Sequence, residues 1–375
     1  MSKIDDLIKE LCPDGMRFVR VGDVAVIGTG RSDRKDAVEN GQYPFYVRSK
    51  IVSRIDRYSF DEEAIIIPGE GGVGDIFHYV NGKYDLHQRA YRIVFTTDEV
   101  NTKYALYYFM SHFKSFITLK AVNATVTSIR KPMIEDFPIP IPPLEVQKEI
   151  VRVLDSFTEL EAELEAELEA RKKQYEYYRN TLLTFNERER VEYVQIGDIC
   201  NISRGRVMSK SYLIDNVGDY PVYSSQTANN GVFGYINTYD YDKESITWTT
   251  DGANAGSVFY HNNEEFSITN VCGLLVPKRD RVKVKYLYYI LQITLKKYVN
   301  SGMGNPKLMS NTISKVKIPV PSLEKQKQIV SILDKFDALV NDISTGLPAE
   351  IEARRKQYEY YRNKLLTFKE LECSK

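Results

Sequence analysis

The chain has 375 residues, with 51 Lys and Arg against 51 Asp and Glu, so its formal net charge is zero. At 43% apolar and 27% charged residues it has enough apolar matter for real cores, which excludes a disordered, collagen-like or disulfide-stapled chain. Cys12, Cys200, Cys272 and Cys373 form no CxxC pair, no run of about 18 apolar residues occurs, and the start MSKIDDLIKELC has no signal-like apolar stretch; a reduced, cytoplasmic protein of two or three domains is expected.

Residues 1–16 read as an amphipathic helical segment packing near the C-terminal helix. Residues 17–143 mix strand and helix: Ala64–Ile67 and Tyr91–Phe95 predict strands, Gly69–Gly74 a turn, and Lys103–Phe116 a helix. Arg31, Arg34, Lys35, Arg48, Lys50, Arg54 and Arg57 crowd one stretch of it, as phosphate contacts require. Asn123, Thr125, Thr127 and Arg130, within NATVTSIR, are of the types that reach base edges.

The run IPIPP then blocks helix and supplies an extended entry to a long helix within 144–190. Ile150, Leu154, Phe157, Leu160, Leu164, Leu168, Tyr175, Tyr178, Leu182 and Phe185 recur at steps of three, four and seven, which is one apolar stripe. From Leu144 to Phe185 such a helix is about 63 Å long and needs a partner of equal length. Its middle reads LEAELEAELEA from Leu160 to Ala170, a four-residue repeat of strong helix formers. One unit added or removed changes the length by about 6 Å, so this segment is expected to act as a ruler.

Residues 191–321 form a second mixed segment. Ile246–Thr250, Ser257–Tyr260 and Val271–Val276 predict strands, Asp251–Gly256 a turn, and Tyr286–Tyr298 a helix. Ser224, Ser225, Gln226, Thr227, Asn229 and Asn230, with Asp251, Asn254 and Lys307, have base-reading composition; a polar surface loop is the plainer alternative. Residues 322–375 hold the second helix, with Leu333, Phe336, Tyr358 and Tyr361 on its apolar side and a break expected at Gly346 and Pro348.

An internal repeat organises all of this. EARKKQYEYYRNTLLTF (169–185) returns as EARRKQYEYYRNKLLTF (352–368) with two differences, and IPIPPLEVQKEIVRVLDSFTEL (139–160) returns as IPVPSLEKQKQIVSILDKFDAL (318–339). Arg17–Asp23 matches Glu192–Asp198, and Gly41–Tyr46 matches Gly218–Tyr223, but the globular parts otherwise share little. The helices do one job twice and the globular segments do different jobs. The expected fold is α+β: two mixed α/β domains separated by two long antiparallel helices, a coiled coil, in a pseudo-twofold cyclic arrangement.

Catalytic constellations are missing from the sequence. There is no GxxxxGK[ST], HExxH or GxSxG, and His78, His87, His112 and His261 are scattered. The Asn/Asp-Pro-Pro-aromatic tetrapeptide of amino-methyltransferases is missing too. The expectation is a binder or scaffold with no catalytic or metal site.

The order domain, EARxKQYEYYR helix, domain, EARxKQYEYYR helix, each helix entered through IPxPxLExQ, resembles the specificity subunit of a type I restriction–modification enzyme. The resemblance spans nearly the whole chain. It implies that each globular segment is a target recognition domain reading half of an asymmetric bipartite DNA site. It implies that the helices set the spacing and dock two adenine methyltransferase subunits, with Leu154, Phe157, Leu164, Leu168, Tyr175, Tyr178, Leu333, Phe336, Tyr358 and Tyr361 forming the helix pair or docking surface. It further implies separate motor–nuclease restriction subunits, and S-adenosylmethionine, ATP and Mg in the partners with no cofactor in this chain. The competing reading is a coiled-coil scaffold that binds no DNA; an enzyme with an unrecognised site is a third.

Overall fold

A computed structural model describes residues 3–120, 128–278, 281–302, 304–342 and 344–371. The chain folds into two units, Met1–Glu165 with Ile351–Lys375, and Ala166–Glu350. Each unit therefore takes its helices from both copies of the repeat.

In the first unit, α1 (Lys3–Leu11) leads to β1 (Phe18–Arg20), the single turn α2 (Val21–Val24) and β2 (Ala25–Thr29). Strands β3 (Tyr43–Tyr46), β4 (Ser53–Ile55), β5 (Phe60–Pro68), β6 (His78–Leu86) and β7 (Ala90–Phe95) follow, then α3 (Thr102–Lys120), α4 (Lys131–Glu135) and β8 (Pro138–Pro140). Helix α5 (Leu144–Leu182) is unbroken. The second unit repeats the scheme with β9 (Glu192–Gln195), α6 (Ile196–Ile199), β10 (Cys200–Arg204), α7 (Lys210–Asp215), β11 (Tyr220–Tyr223) and β12 (Val232–Ile236). It continues with β13 (Ser245–Thr249), β14 (Val258–His261), β15 (Ser267–Ile268), β16 (Cys272–Pro277), α8 (Val284–Thr294), α9 (Ser310–Lys315) and β17 (Lys317–Val320). Helices α10 (Leu323–Asn341) and α11 (Leu347–Leu365) close the chain.

The first sheet has the order β2-β7-β5-β6-β3-β4. Its centre is β5, whose Ala64–Ile67 run is buried on both faces, as an apolar run without alternation requires. The second unit has a four-stranded sheet, β10-β16-β13-β14, and a three-stranded one, β12-β11-β15. These are one sheet order with one strand broken. Strand β6 pairs antiparallel with β5 and then parallel with β3 through Phe45–Asp85 and Tyr46–Leu86. In the second unit β14 pairs with β13, and β15 takes over the parallel pairing with β11 through Val222–Ser267 and Tyr223–Ile268. Between them Asn263 turns the chain through the left-handed region (φ 51°). A polar plug fills the gap: buried His261 faces Glu264 with Nδ1 (2.9 Å) and Thr247 Oγ1 with Nε2 (2.9 Å), its ring set between Tyr223 and Phe266.

The joint between sheet and long helix is the same in both units. Buried Gln147 donates to the carbonyls of Glu99 and Pro142 (both 2.7 Å) and accepts from the Asn101 N–H (2.8 Å). Buried Gln326 does the same with Arg281, Pro321 and Lys283 at 3.1, 2.8 and 2.9 Å. Tyr107 donates to Asp155 (2.6 Å), which also pairs with Lys103; Tyr289 donates to Asp334 (2.6 Å), which pairs with Lys285. The extended IPxP entry pairs with the strand opening each domain, β8 with β1 and β17 with β9.

The apolar stripe of α5 divides between the units. In the first, Leu154 is buried and Phe157 stacks on Tyr361 (5.5 Å) and lies near Tyr358 (6.4 Å), while Arg355 reaches Glu161 (2.6 Å) and Glu165 (2.5 Å). As the numbers on α11 rise those on α5 fall, so the two segments are antiparallel. Arg355 occupies one of the two positions at which the repeats differ; its counterpart, Lys172, pairs with Glu169 on its own helix. In the second unit Tyr178 stacks on Phe336 (5.2 Å) with Tyr175 beside it (6.3 Å), over buried Leu333. At the start of the first unit Leu7 and Ile8 pack in the cluster that holds Leu365 and Leu366, and the Met16 N–H donates to the Lys369 carbonyl (2.8 Å).

The second helix is interrupted: α10 ends at Asn341 and α11 begins at Leu347. Asp342 accepts from the Ser344 N–H (2.7 Å) and the Thr345 hydroxyl (2.6 Å), and a Cβ on Gly346 would crowd the carbonyls of Ala338, Leu339 and Asp342. Pro348 sits in the first turn of α11, where its missing N–H is harmless.

Candidate nucleic-acid interface

Each domain gathers three loops at the end of its central strand. In the first, the loops after β3, β5 and β6 meet. The His87 N–H donates to the Tyr46 carbonyl (2.9 Å), the Gly69 N–H to Arg89 (2.8 Å), and the Ile129 N–H to Gly69 (2.8 Å). Glu70 stands at the centre: its Oε1 accepts from Arg48 and from Arg89 (2.6 Å). The Arg89 and Arg48 guanidiniums hold its carboxyl below the usual carboxylate range. Around this group lies a concavity of about 420 Å³ lined by Arg34, Arg48, Ser49, Ile51, Glu70 and His87 among others.

The second domain repeats the frame with other side chains. The Thr269 N–H donates to the Tyr223 carbonyl (2.9 Å) and the Leu308 N–H to Thr250 (2.8 Å), so Thr269 corresponds to His87 and Leu308 to Ile129. Asp251 then corresponds to Glu70. Both are held by an antiparallel backbone bridge, Glu70 to Ser128 and Asp251 to Lys307. Asp251 has Lys307 Nζ at 3.9 Å and Arg204 at 4.0 Å, and accepts from Thr250 Oγ1 at 2.7 Å.

The candidate residues sort by what their polar atoms touch. In the first domain Arg48 joins Glu70, while Arg31, Arg34, Lys35, Lys50 and Arg130 are exposed. Arg54 is engaged inward, donating to the carbonyls of Gly41 (2.9 Å) and Gln42 (2.7 Å), and Arg57 bridges Asp36 and buried Asp85. Asn123, Thr125 and Thr127 lie outside the described residues.

In the second domain the loops carrying Ser224–Asn230, Asp251–Gly256 and Lys307 come together. The first is pinned: Ser225 Oγ donates to the Val271 carbonyl and accepts from the Thr250 N–H (3.2 Å), and Gln226 donates to Val232. Thr227 accepts from Asn254 (2.9 Å), and Ser224 meets Thr269 (3.0 Å). Asn229 and Asn230 are exposed, both in the left-handed region (φ 49° and 53°). Sequence reasoning missed Arg89, His87 and Arg204. The alignment of Gly69-Glu70 with Thr250-Asp251 was the available signal for this site.

The helix-pair residues are engaged within their own units: Leu154, Phe157, Tyr358 and Tyr361 in the first, and Leu168, Tyr175, Tyr178, Leu333 and Phe336 in the second; Leu164 is buried. The opposite face of the repeated helix is open. Lys173, Glu176 and Tyr177 lie within one turn of α5 and are exposed, as are the identical Lys356, Glu359 and Tyr360 of α11; Thr184 and Thr367, just beyond the two helix ends, are exposed as well. Tyr177 is 66% exposed and Tyr360 is 62% exposed. The two positions that differ between the repeats, Lys172/Arg355 and Thr181/Lys364, flank this stripe.

Among the described residues no cluster of His, Cys, Asp and Glu could hold a metal ion, and no helix is long and apolar enough to cross a membrane. A frame built twice, with different side chains at the same loop positions and no metal cluster among the described residues, fits a modular binding protein with two unlike loop surfaces.

The comparisons give that class its family. The type I restriction modification DNA specificity domain matches residues 13–170 and 188–353, and the chain belongs to this family. A putative type I restriction enzyme specificity subunit of Haemophilus influenzae is 31% identical over 369 residues, covering 92% of this chain and 93% of its own. A putative type I specificity subunit of Mycoplasma pneumoniae is 41% identical over 240 residues, 62% of this chain and 97% of that protein. In fold, the chain is similar to the S subunit of a type I restriction-modification system from M. genitalium, with a TM-score of 0.65, 18% identity and coverage of 94% and 96%. The chain is thus a non-catalytic DNA-specificity component of a type I restriction–modification system.

Proposed function

We propose that residues 17–143 and 191–321 are two target recognition domains, each reading one half of an asymmetric bipartite site in double-stranded DNA. The observation that carries this is the paired loop cluster: Arg48, Glu70 and Arg89 in one domain, Arg204, Asp251 and Lys307 in the other, on one backbone frame. The same frame supports the same mode of approach to a duplex, and different side chains support different bases.

In this reading residues 1–16 pack near the C-terminal helix, and the helical parts, 144–190 and 322–375, fix the distance between half-sites. Two adenine methyltransferase subunits dock on them. The exposed stripe of Lys173, Glu176 and Tyr177 recurs unchanged as Lys356, Glu359 and Tyr360. A buried face stays alike because packing demands it; an exposed face has no such reason, so its identity supports one partner bound twice. Those partners hold S-adenosylmethionine, and motor–nuclease subunits bring ATP and Mg to restrict unmethylated DNA in the cytoplasm. The ruler is Leu160–Ala170. Deleting Leu164–Glu167 keeps both half-sequences and narrows the gap between them.

The test is methylation by the chain co-purified with its methyltransferase partner, on a randomised duplex library. The expected product is one motif with two defined ends and an unspecified gap. Methylation without a motif, or binding indifferent to sequence, would sink the reading.

A further inference from the structure

Each recognition domain carries a carboxylate in the middle of its basic cluster, at the same place. Glu70 follows β5 and Asp251 follows β13, each bridged by backbone to the segment that enters the domain's last helical turn. The turns around them have diverged, GEGGVG against TDGANAG, yet both keep the acid. A carboxylate here opposes the approach of a polyanion and occupies the cations that would meet it. In the first domain folding gives little reason for it, since Arg48 and Arg89 are exposed and such ion pairs contribute little.

We propose that Glu70 and Asp251 are specificity-determining residues: each holds its cations away from the phosphates of unmatched DNA and releases them to a matched half-site. Glu70 engages Arg48 and Arg89 through one oxygen, and Asp251 lies within 4.0 Å of Arg204 and 3.9 Å of Lys307. An unmatched duplex must break these pairs for a phosphate contact alone. A matched half-site offers the arginine base-edge acceptors and can offer the freed carboxylate an exocyclic amino group. The acid thus lowers affinity for all DNA and lowers it least for the right DNA. This rests on the DNA-reading function proposed above.

The experiment uses the full chain with its methyltransferase partner and four duplexes: the bipartite site, the site scrambled in either half, and an unrelated sequence. Binding is followed across a salt series. Glu70→Gln is expected to tighten binding to the unrelated duplex, and to the duplex scrambled in the first domain's half, by about three- to tenfold. It steepens the dependence of log K on log salt by about one unit. Discrimination falls in that half only, Asp251→Asn does the same for the other half, and Glu70→Asp retains most discrimination. Unrelated-duplex affinity that stays unchanged or weakens in both variants overturns the proposal, as does loss confined to one base pair, which marks a base reader instead. Wild-type protein binding all four duplexes alike refutes the DNA-reading function itself and is distinguishable from either result.

Discussion

The two recognition domains share a strand order and differ in how they fill it. At one cross-strand pair the first domain has Ile67 against Tyr91, and the second has Trp248 against Gly273. Trp248 is fully buried, donates Nε1–H to the Leu308 carbonyl (3.1 Å), and lies where a Cβ on Gly273 would be. Volume has moved across the pair while the backbone frame stayed. Similarly β6 is one strand and β14–β15 are two, yet both reach the same neighbours. The frame is set by backbone pairing and by the glutamine joint; the side chains within it are free to diverge. That is what a recognition module needs.

The sharpest way to break the comparison is at that pair. Trp248→Ala empties a large buried site and is expected to destabilise the second unit by about 3–5 kcal/mol; Gly273→Ala overpacks it at about 1–3 kcal/mol. Tyr91→Ala, at a partly buried position, should cost the first unit clearly less. Denaturant melts followed by far-UV circular dichroism would rank the three, and equal costs would contradict the exchange of volume.

The glutamine joints should behave alike. Gln147→Leu and Gln326→Leu each leave two carbonyls and one N–H without the bonds they had, a loss of about 2–4 kcal/mol in each unit. A large difference between the two would mean that the frame is not shared.

Tyr177→Ala and Tyr360→Ala test the repeated outer face. Fold stability should change by less than about 0.5 kcal/mol, since neither side chain is buried. If the proposed docking of two methyltransferase subunits holds, each should weaken one of the two binding events by about 2 kcal/mol, as for an interface aromatic. Native mass spectrometry at limiting partner would show a single-docked complex for either variant and none for the pair of substitutions.

The smallest expected effect separates the units by pH. Arg152, and then Lys3, hold the Glu149 carboxyl at about 2, down from 4.5. The repeat places Gln328 at the corresponding position, which does not titrate. A lowered carboxyl contributes its stability in full above about 4.5 and loses it as pH falls toward 2. The first unit should therefore lose this contribution between pH 4.5 and 2, while the second has no such contribution to lose at Gln328. Emission from Trp248, the one tryptophan and a reporter on the second unit, should be less affected by Glu149→Gln than far-UV dichroism.

Much of the frame was legible because helices of this length announce themselves by period. The stripe from Ile150 to Leu182 and the IPxP entries lie where periodicity and proline chemistry put them; the helix stops three residues short of Phe185, and the second helix breaks before Leu347, with Pro348 already inside α11. Strands β3, β4, β11 and β12 were not read, because they are short and two carry an internal proline, Pro44 and Pro221. The interface was legible only as composition. Arg54 and Ser225 are polar, in the right loops, and spent on their own backbone; Arg89 stands alone in sequence and meets Glu70 only when Gly69 pairs with Arg89.

By itself the sequence determined the repeat, the long helices and the absence of familiar catalytic motifs. Those depend on local spacing, which a single chain displays in full. The tertiary structure decided which half of each helix serves which unit, that a broken strand preserves a sheet order, and that Glu70 and Asp251 occupy one position. Each of these depends on residues far apart in the chain being brought together by strand pairing, and no local pattern encodes that partner.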